Sequence, residues 1–289
     1  MRTMILQKNG RNEWDKIITS KKKLFDLRLK SVWDYKDLIV LFIKRDFIVY
    51  YKQTILGPLW YLIQPIFSTI MYMLIFGGLA GIGTDNIPQI LFYYSGTMLW
   101  TYFSEALIKV ANVFTENKAM FGKVYFPRLV VPIAASIGLM IKLLIQFFLF
   151  GILFVYYFLT GENIKFSWLM LLFPLLVLWI GLLAVGFGMI ISSITTKYRD
   201  IAMILTFFVQ LLMYATPVVY PLSEVPENIK LLFIINPVSA PIEFFRKCFF
   251  GVGSVSWDTM LLSIVITMIC VLLGLLLFNK NERTFVDVI

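Results

Sequence analysis

The chain has 289 residues, of which 60% are hydrophobic and 15% charged, and its mean hydropathy is +0.83. Soluble domains run at about 45 to 50% apolar and about 25% charged, so this balance argues against a water-soluble fold. Histidine is absent, which removes the Ser-His-Asp triad, the H-E-x-x-H zinc motif and histidine general-base chemistry, and Cys248 and Cys270 supply neither a disulfide framework nor a metal cage.

The first 30 residues hold no apolar core of the length a cleaved signal needs, so insertion is expected through internal spans. Residues 1–58 are read as a cytoplasmic segment and 59–289 as the transmembrane domain. Ser31-Val32-Trp33-Asp34 has the capping-box pattern, and a helix over 31–56 is expected after it. At 3.6 residues per turn Tyr35, Leu38, Ile39, Phe42, Ile43, Val49 and Tyr50 share one arc, with Asp46 the charge among them. Val40, Leu41, Phe47 and Ile48 fall outside that arc, so the helix is expected along the inner membrane surface, packing also against protein. Gly57-Pro58 ends it and opens the first span.

A bilayer core of about 30 Å needs roughly 20 apolar residues in helix. Six stretches meet this expectation: 59–79, 90–114, 129–160, 168–191, 201–219 and 259–278. The expected fold is therefore an all-α integral membrane protein with six transmembrane helices. Proline at 217, 221, 226, 237 and 241 breaks the segment from Thr216 to Trp257. Its apolar pieces, 229–235 and 242–250, are too short to span, and read as external re-entrant helices over an exit or as an external loop.

Lys and Arg are retained on the cytoplasmic side. Twenty of the 26 fall in 1–58, 115–128, 192–200 and the tail from Asn279, against four in the alternate loops, which places both termini in the cytoplasm. The net charge of +9 then reads as topology and contact with anionic membrane lipids, and no nucleic-acid partner is expected. Lys109 and Lys142 lie within spans. Lys142 is near the middle of the third, where a lysine costs about 2.5 to 3.5 kcal/mol on insertion scales and needs a partner. Glu105 is the only acid in the spans, and Lys109, four residues on, is its simpler partner. Lys142 is read as a packing ion pair or as a contact for an anionic substrate. Aromatics make up 17% of the chain. Trp60, Trp168 and Trp257 sit at span ends, as interfacial anchors do, whereas Tyr93, Trp100 and Trp179 lie deeper and offer flat surfaces to sugar rings in a channel.

Arg45-Asp46, Tyr51-Lys52-Gln53-Thr54, Leu56-Gly57-Pro58, Trp60 and Gln64-Pro65 form a group, followed by Phe126-Pro127, Pro132 and Tyr198-Arg199-Asp200. Thr216-Pro217, Tyr220-Pro221, and Asn236-Pro237 with Glu243 and Arg246 complete it. Together, over about 34–289, the chain resembles the membrane subunit of polysaccharide ABC exporters, the type that carries O-antigen, capsule or teichoic acid. The resemblance implies a homodimer enclosing a channel in the bacterial inner membrane, driven by two separate ATPase subunits, and a lipid-linked glycan as substrate. It implies a cytoplasmic entrance at Arg45, Asp46, Tyr51 and Lys52, and an external gate at Tyr220, Asn236, Glu243 and Arg246.

No G-x-x-x-x-G-K-[ST] occurs, Gly122-Lys123 lacking the earlier glycine and the hydroxyl. No cofactor is therefore expected on this chain, ATP and Mg belonging to the partner subunit. The 115–128 loop, basic and aromatic, is expected to dock there through Lys118, Phe121, Lys123 and Tyr125. The alternatives are an ABC exporter of a drug or small lipid, and a membrane glycosyl- or acyltransferase. The latter needs catalytic groups that spans with a single acid do not offer.

Overall fold

The computed structural model describes residues 5–7, 14–17, 29–52, 54–124, 126–161, 167–195, 198 and 200–288. Among these the chain is helical apart from a two-stranded antiparallel ribbon, β1 (Ile5–Gln7) and β2 (Trp14–Ile17), with Ile5 opposite Ile17 and Gln7 opposite Trp14. Two helices follow, α1 (Leu29–Asp34) and α2 (Lys36–Lys52), separated by a turn at Tyr35. The helix thus begins two residues before Ser31, which is not its cap, and stops four short of 56.

The first long helix, α3, runs Gly57–Leu79. It opens with a tight turn over Gly57–Leu59, where proline at the first turn loses no hydrogen bond, and loosens into a π-helix over Met73–Leu79. Next come α4 (Gln89–Ala111), the short helices α5 (Val113–Glu116) and α6 (Lys118–Phe121), and α7 (Val130–Leu159). Then follow α8 (Trp168–Thr195) and α9 (Asp200–Tyr214), the pair α10 (Glu227–Ile235) and α11 (Ser239–Phe250), and α12 (Trp257–Val288).

Among the described residues four helices are long and apolar enough to cross a membrane: α3, α7, α8 and α12 over Trp257–Lys280. The pair α10 and α11, bent by 97°, makes a fifth if it is one broken span. The other two expected spans exist as helices but fall outside that set. The first of them, α4, is the centre of the bundle, buried at every position from Leu91 to Trp100 and packed by α3, α7, α8, α9 and α11. A helix sheathed in protein does not have to be lipid-soluble, and two of its buried hydroxyls are satisfied locally: Ser95 donates to the Phe92 carbonyl and Thr97 to that of Tyr93. The second, α9, has only 15 residues.

α8 and α12 cross closely at glycine. A Cβ on Gly274 would lie 2.7 Å from the Gly186 carbonyl oxygen, and one on Gly186 would lie 2.9 Å from the Cys270 carbonyl carbon. A phenylalanine cluster joins α7, α8 and α11, with Phe147 stacked on Phe173 at 3.7 Å and Phe245 on Phe249 at 4.3 Å.

Candidate functional site

The inward face of α2 carries Leu38, Ile39, Phe42 and Ile43 against the inner ends of α4 and α7. Val40, Leu41, Ile48 and Val49 are exposed on its other side. Most of the expected arc therefore packs on protein, and apolar residues mostly outside it are left exposed. One turn beyond Phe42, Asp46 accepts from Lys109 of α4 at 2.5 Å and from Arg45 at 2.8 Å, pinning the helix to the bundle. Burial raises the Asp46 pKa, but the hydrogen bonds and charges of Lys109 and Arg45 outweigh it and hold the carboxyl below its usual value. Beside this pair opens a cavity of about 450 Å³, whose lining includes Arg45, Asp46, Lys109, Glu116 and Asn117. Glu116 is held above its usual value by burial, which Lys109 offsets and the charge of Asp46 reinforces. Lys52 is exposed at the end of α2, and the side chain of Tyr51 lies outside the described ones.

Deeper in the bundle Lys142 is buried, with its Nζ 2.6 Å from Glu105 and 5.6 Å from the centre of the Tyr61 ring. One turn away Gln146 donates to the Tyr61 carbonyl at 3.0 Å. Glu105 is thus taken by Lys142, across helices, and Lys109 turns instead to Asp46. The i,i+4 pairing expected on α4 gives way because burial leaves Lys142 no other acid, while Lys109 reaches one at the rim.

The three deep aromatics do not meet on an open surface. Tyr93 is 0% and Trp100 5% exposed, both inside the core, and Trp179 donates its indole N–H to Thr267 of α12 at 3.2 Å. Reasoning from sequence missed a different stripe. Leu56 and, on α3, Trp60, Ile63, Gln64, Phe67 and Ser68 line an open groove of about 650 Å³, and Phe67 is 65% exposed. The signal was present as an aromatic and polar repeat at helical spacing, but spacing alone does not say which face its neighbours leave bare.

At the outer end, Asn236 ties α10 and α11 to the end of α9 by donating to the Ala215 carbonyl and Thr216. Ser263 of α12 donates to the Pro237 carbonyl at 2.6 Å. Arg246 is buried, donating to Glu243 at 2.7 Å and to the Val218 carbonyl at 2.9 Å, with its guanidinium 3.8 Å from the centre of the Phe92 ring. Glu243 also accepts from the Ser254 amide. Gly96 makes this approach possible, since a Cβ there would sit 2.5 Å from the Val218 oxygen. Tyr220 donates to the Tyr214 carbonyl, and burial pushes its hydroxyl up to about 12.

In the 115–128 loop Phe121 is turned inward. It belongs to a run of rings in which Phe42 meets Phe126, Phe126 meets Phe121, Phe121 meets Phe114 and Phe114 stacks on Phe278 of α12 at 4.6 Å. Lys118, Lys123 and Val124 are exposed. Tyr125 lies outside the described residues, as does Arg199 of the loop before α9.

Residues 37–250, from α2 to α11, match the model of the family described as ABC-2 type transporter. The chain belongs to the ABC-2 type transporter family. Two proteins of Klebsiella pneumoniae, each named O-antigen export system permease protein RfbA, are 24% identical to it over 253 residues, covering 88% of this chain and 95% of theirs. A protein of the same name from Myxococcus xanthus is 24% identical over 225 residues, covering 77% of this chain and 84% of its own. The Asp46 cavity, the Lys142–Glu105 pair, the α3 groove, the Arg246 cluster and the 115–128 loop lie inside the ABC-2 transporter match, while β1, β2, α1 and α12 lie outside it.

Proposed function

We propose that this ABC-2 transporter is the channel-forming permease subunit that exports a lipid-linked polysaccharide across the bacterial inner membrane. It works as a homodimer, with ATP and Mg held by two separate ATPase subunits. The observation that carries the reading is the α3 groove: Trp60, Gln64, Phe67 and Ser68 stand with Leu56 and Ile63 along one open groove, and aromatic and polar side chains side by side suit a sliding sugar chain better than acyl chains alone. Family membership and the relatives' names support the same substrate class.

In this reading α4 and α9 complete a set of six spans, sheathed or paired by protein, with both termini cytoplasmic. Residues 1–58 are the cytoplasmic segment and 59–289 the transmembrane domain. Arg45, Asp46, Tyr51 and Lys52 border the entrance on a helix that the Asp46–Lys109 pair pins in place. The bent pair α10 and α11 is the external gate, its inner surface organised by Tyr220, Asn236, Glu243 and Arg246. Lys142 flanks the path behind Tyr61, and Tyr93, Trp100 and Trp179 serve packing around it.

The test is ATP-dependent movement of undecaprenyl-linked glycan into inverted vesicles holding this chain with its ATPase. Phe67→Ala should slow glycan movement several-fold while leaving ATPase assembly intact. Vesicles that move a drug or a short lipid but no glycan would overturn the reading.

A further inference from the structure

We propose that the cavity between α2 and the inner ends of α4 and α7 binds the phosphoethanolamine headgroup of a membrane lipid, held as a structural ligand. This goes beyond the export reading and does not rest on it. The cavity measures about 450 Å³, within the range of small-ligand pockets. Four ionised side chains face it: Arg45, Lys109, Asp46 and Glu116. Their formal charges cancel, so a ligand of net charge gains little, whereas one carrying both signs can meet both.

The donors and acceptors left over define the ligand. Arg45 gives Nε and Nη2 to Asp46, at 3.0 and 2.8 Å, which leaves Nη1 free to donate. Lys109 gives Asp46 one hydrogen, at 2.5 Å, and an ammonium has three. Asp46 is thereby occupied, and the two cations keep donors for a phosphate. On the other side Glu116 has no ion pair among the described residues. Asn117 spends its amide N–H on the Val113 carbonyl at 3.0 Å, leaving its oxygen as an acceptor. A carboxylate and an amide oxygen suit a primary ammonium, and a positive charge there would counter the effect of the Asp46 charge on Glu116.

Apolar lining continues from this polar rim along Val49, Val131 and Ala135, and the exposed Val40, Leu41 and Ile48 of α2 set that helix at the level of lipid. A headgroup in the cavity with its acyl chains along the apolar wall satisfies both.

The experiment is lipid competition on the purified full-length chain in micelles. Phosphatidylethanolamine, phosphatidylglycerol and phosphatidylcholine of identical acyl chains are supplied in equal amounts, and retained lipid is read by native mass spectrometry. Phosphatidylethanolamine should be retained about tenfold over either competitor, tenfold corresponding to about one charge-assisted hydrogen bond. Glu116→Gln, which keeps shape and removes charge, should bring that preference to about unity, and Glu116→Lys should turn it toward phosphatidylglycerol. Equal retention of the three lipids by the unmodified chain, or an undiminished preference in Glu116→Gln, overturns the proposal. Equal retention of phosphatidylcholine alone does so too, since its trimethylated nitrogen has no N–H to give.

Discussion

Lys142 keeps 8% of its side chain exposed and Glu105 33%, so the two halves of this ion pair are not equivalent. Taking away the acid strands a buried cation, at a cost of about 3 kcal/mol before screening at the partly open acid is discounted. Taking away the lysine leaves a carboxylate that reaches the rim and has Lys109 four residues on. Glu105→Gln should therefore lower the melting temperature in detergent more than Lys142→Met, and the double variant should recover most of the loss. Equal losses for the two single variants would show that the pair is not organised by this difference in burial. The same reasoning sets the pH response of α2, judged from the charges that face Asp46: Arg45, Lys109 and Glu116. Glu116, its pKa raised, takes up a proton first as pH falls, which removes its repulsion of Asp46 and tightens the Asp46–Lys109 pair. Asp46, its pKa lowered, contributes stability at every pH above its unfolded value of about 3.9, and loses it as pH falls through the lower folded value. A spin label at the exposed Lys44 position should stay immobile from neutral pH down to about 4 and loosen only below it. Asp46→Asn should show the loosened spectrum at pH 7.

At the scale of elements, α8 and α12 cross with backbone against backbone, where no side chain can yield. Adding a methyl group at Gly274, 2.7 Å from the Gly186 oxygen, forces the helices apart and should cost about 1 to 3 kcal/mol. Gly274→Ala should then unfold earlier on heating in detergent, and Gly274→Val earlier still. Gly138, with nothing within 4 Å of its Cβ position, is the control, and Gly138→Ala should be neutral or stabilising. The pair α10 and α11 is uneven: α10 has no buried residue, whereas α11 is packed into the core through Ile242, Phe245 and Phe249, and the hydrogen bonds of Asn236, Arg246 and Ser263 tie the pair to neighbouring elements.

For the whole molecule, the central question is where an ATPase delivers its work. Phe121 is buried in the run of rings that joins the N-terminal helix, the loop and α12, so its truncation acts as a core cavity and should cost about 3 to 5 kcal/mol. The exposed side chains of the loop include Lys118, Lys123 and Val124. Reversing both lysines to glutamate should reduce co-purification of the ATPase without shifting the melting temperature of the isolated subunit, whereas Phe121→Ala should shift that temperature. If the double charge reversal leaves co-purification unchanged, the docking surface lies outside this loop.

Much of this was legible in the residues. The apolar runs 59–79, 129–160, 168–191 and 259–278 coincide to within a few residues with the helices at 57–79, 130–159, 168–195 and 257–280, because a bilayer imposes length and composition on any helix that faces it. Proline spacing marked the broken outer pair, and the family motifs pointed to the ABC-2 type. The loss of histidine chemistry was a matter of counting. What the tertiary structure alone decided is partnership and facing. A sequence places Glu105 four residues from Lys109, yet which cation an acid chooses depends on the relative burial of two lysines on different helices. Helical period put Tyr93 and Trp100 on one face of α4, but that face is buried because α4 stands at the centre. Period likewise predicted an apolar arc on α2 without saying whether it met lipid or protein. The sequence by itself determined which segments are helices and that the molecule belongs in a membrane, since those follow from local composition. Only packing decided which sides stay open, because exposure depends on the positions of all the other helices.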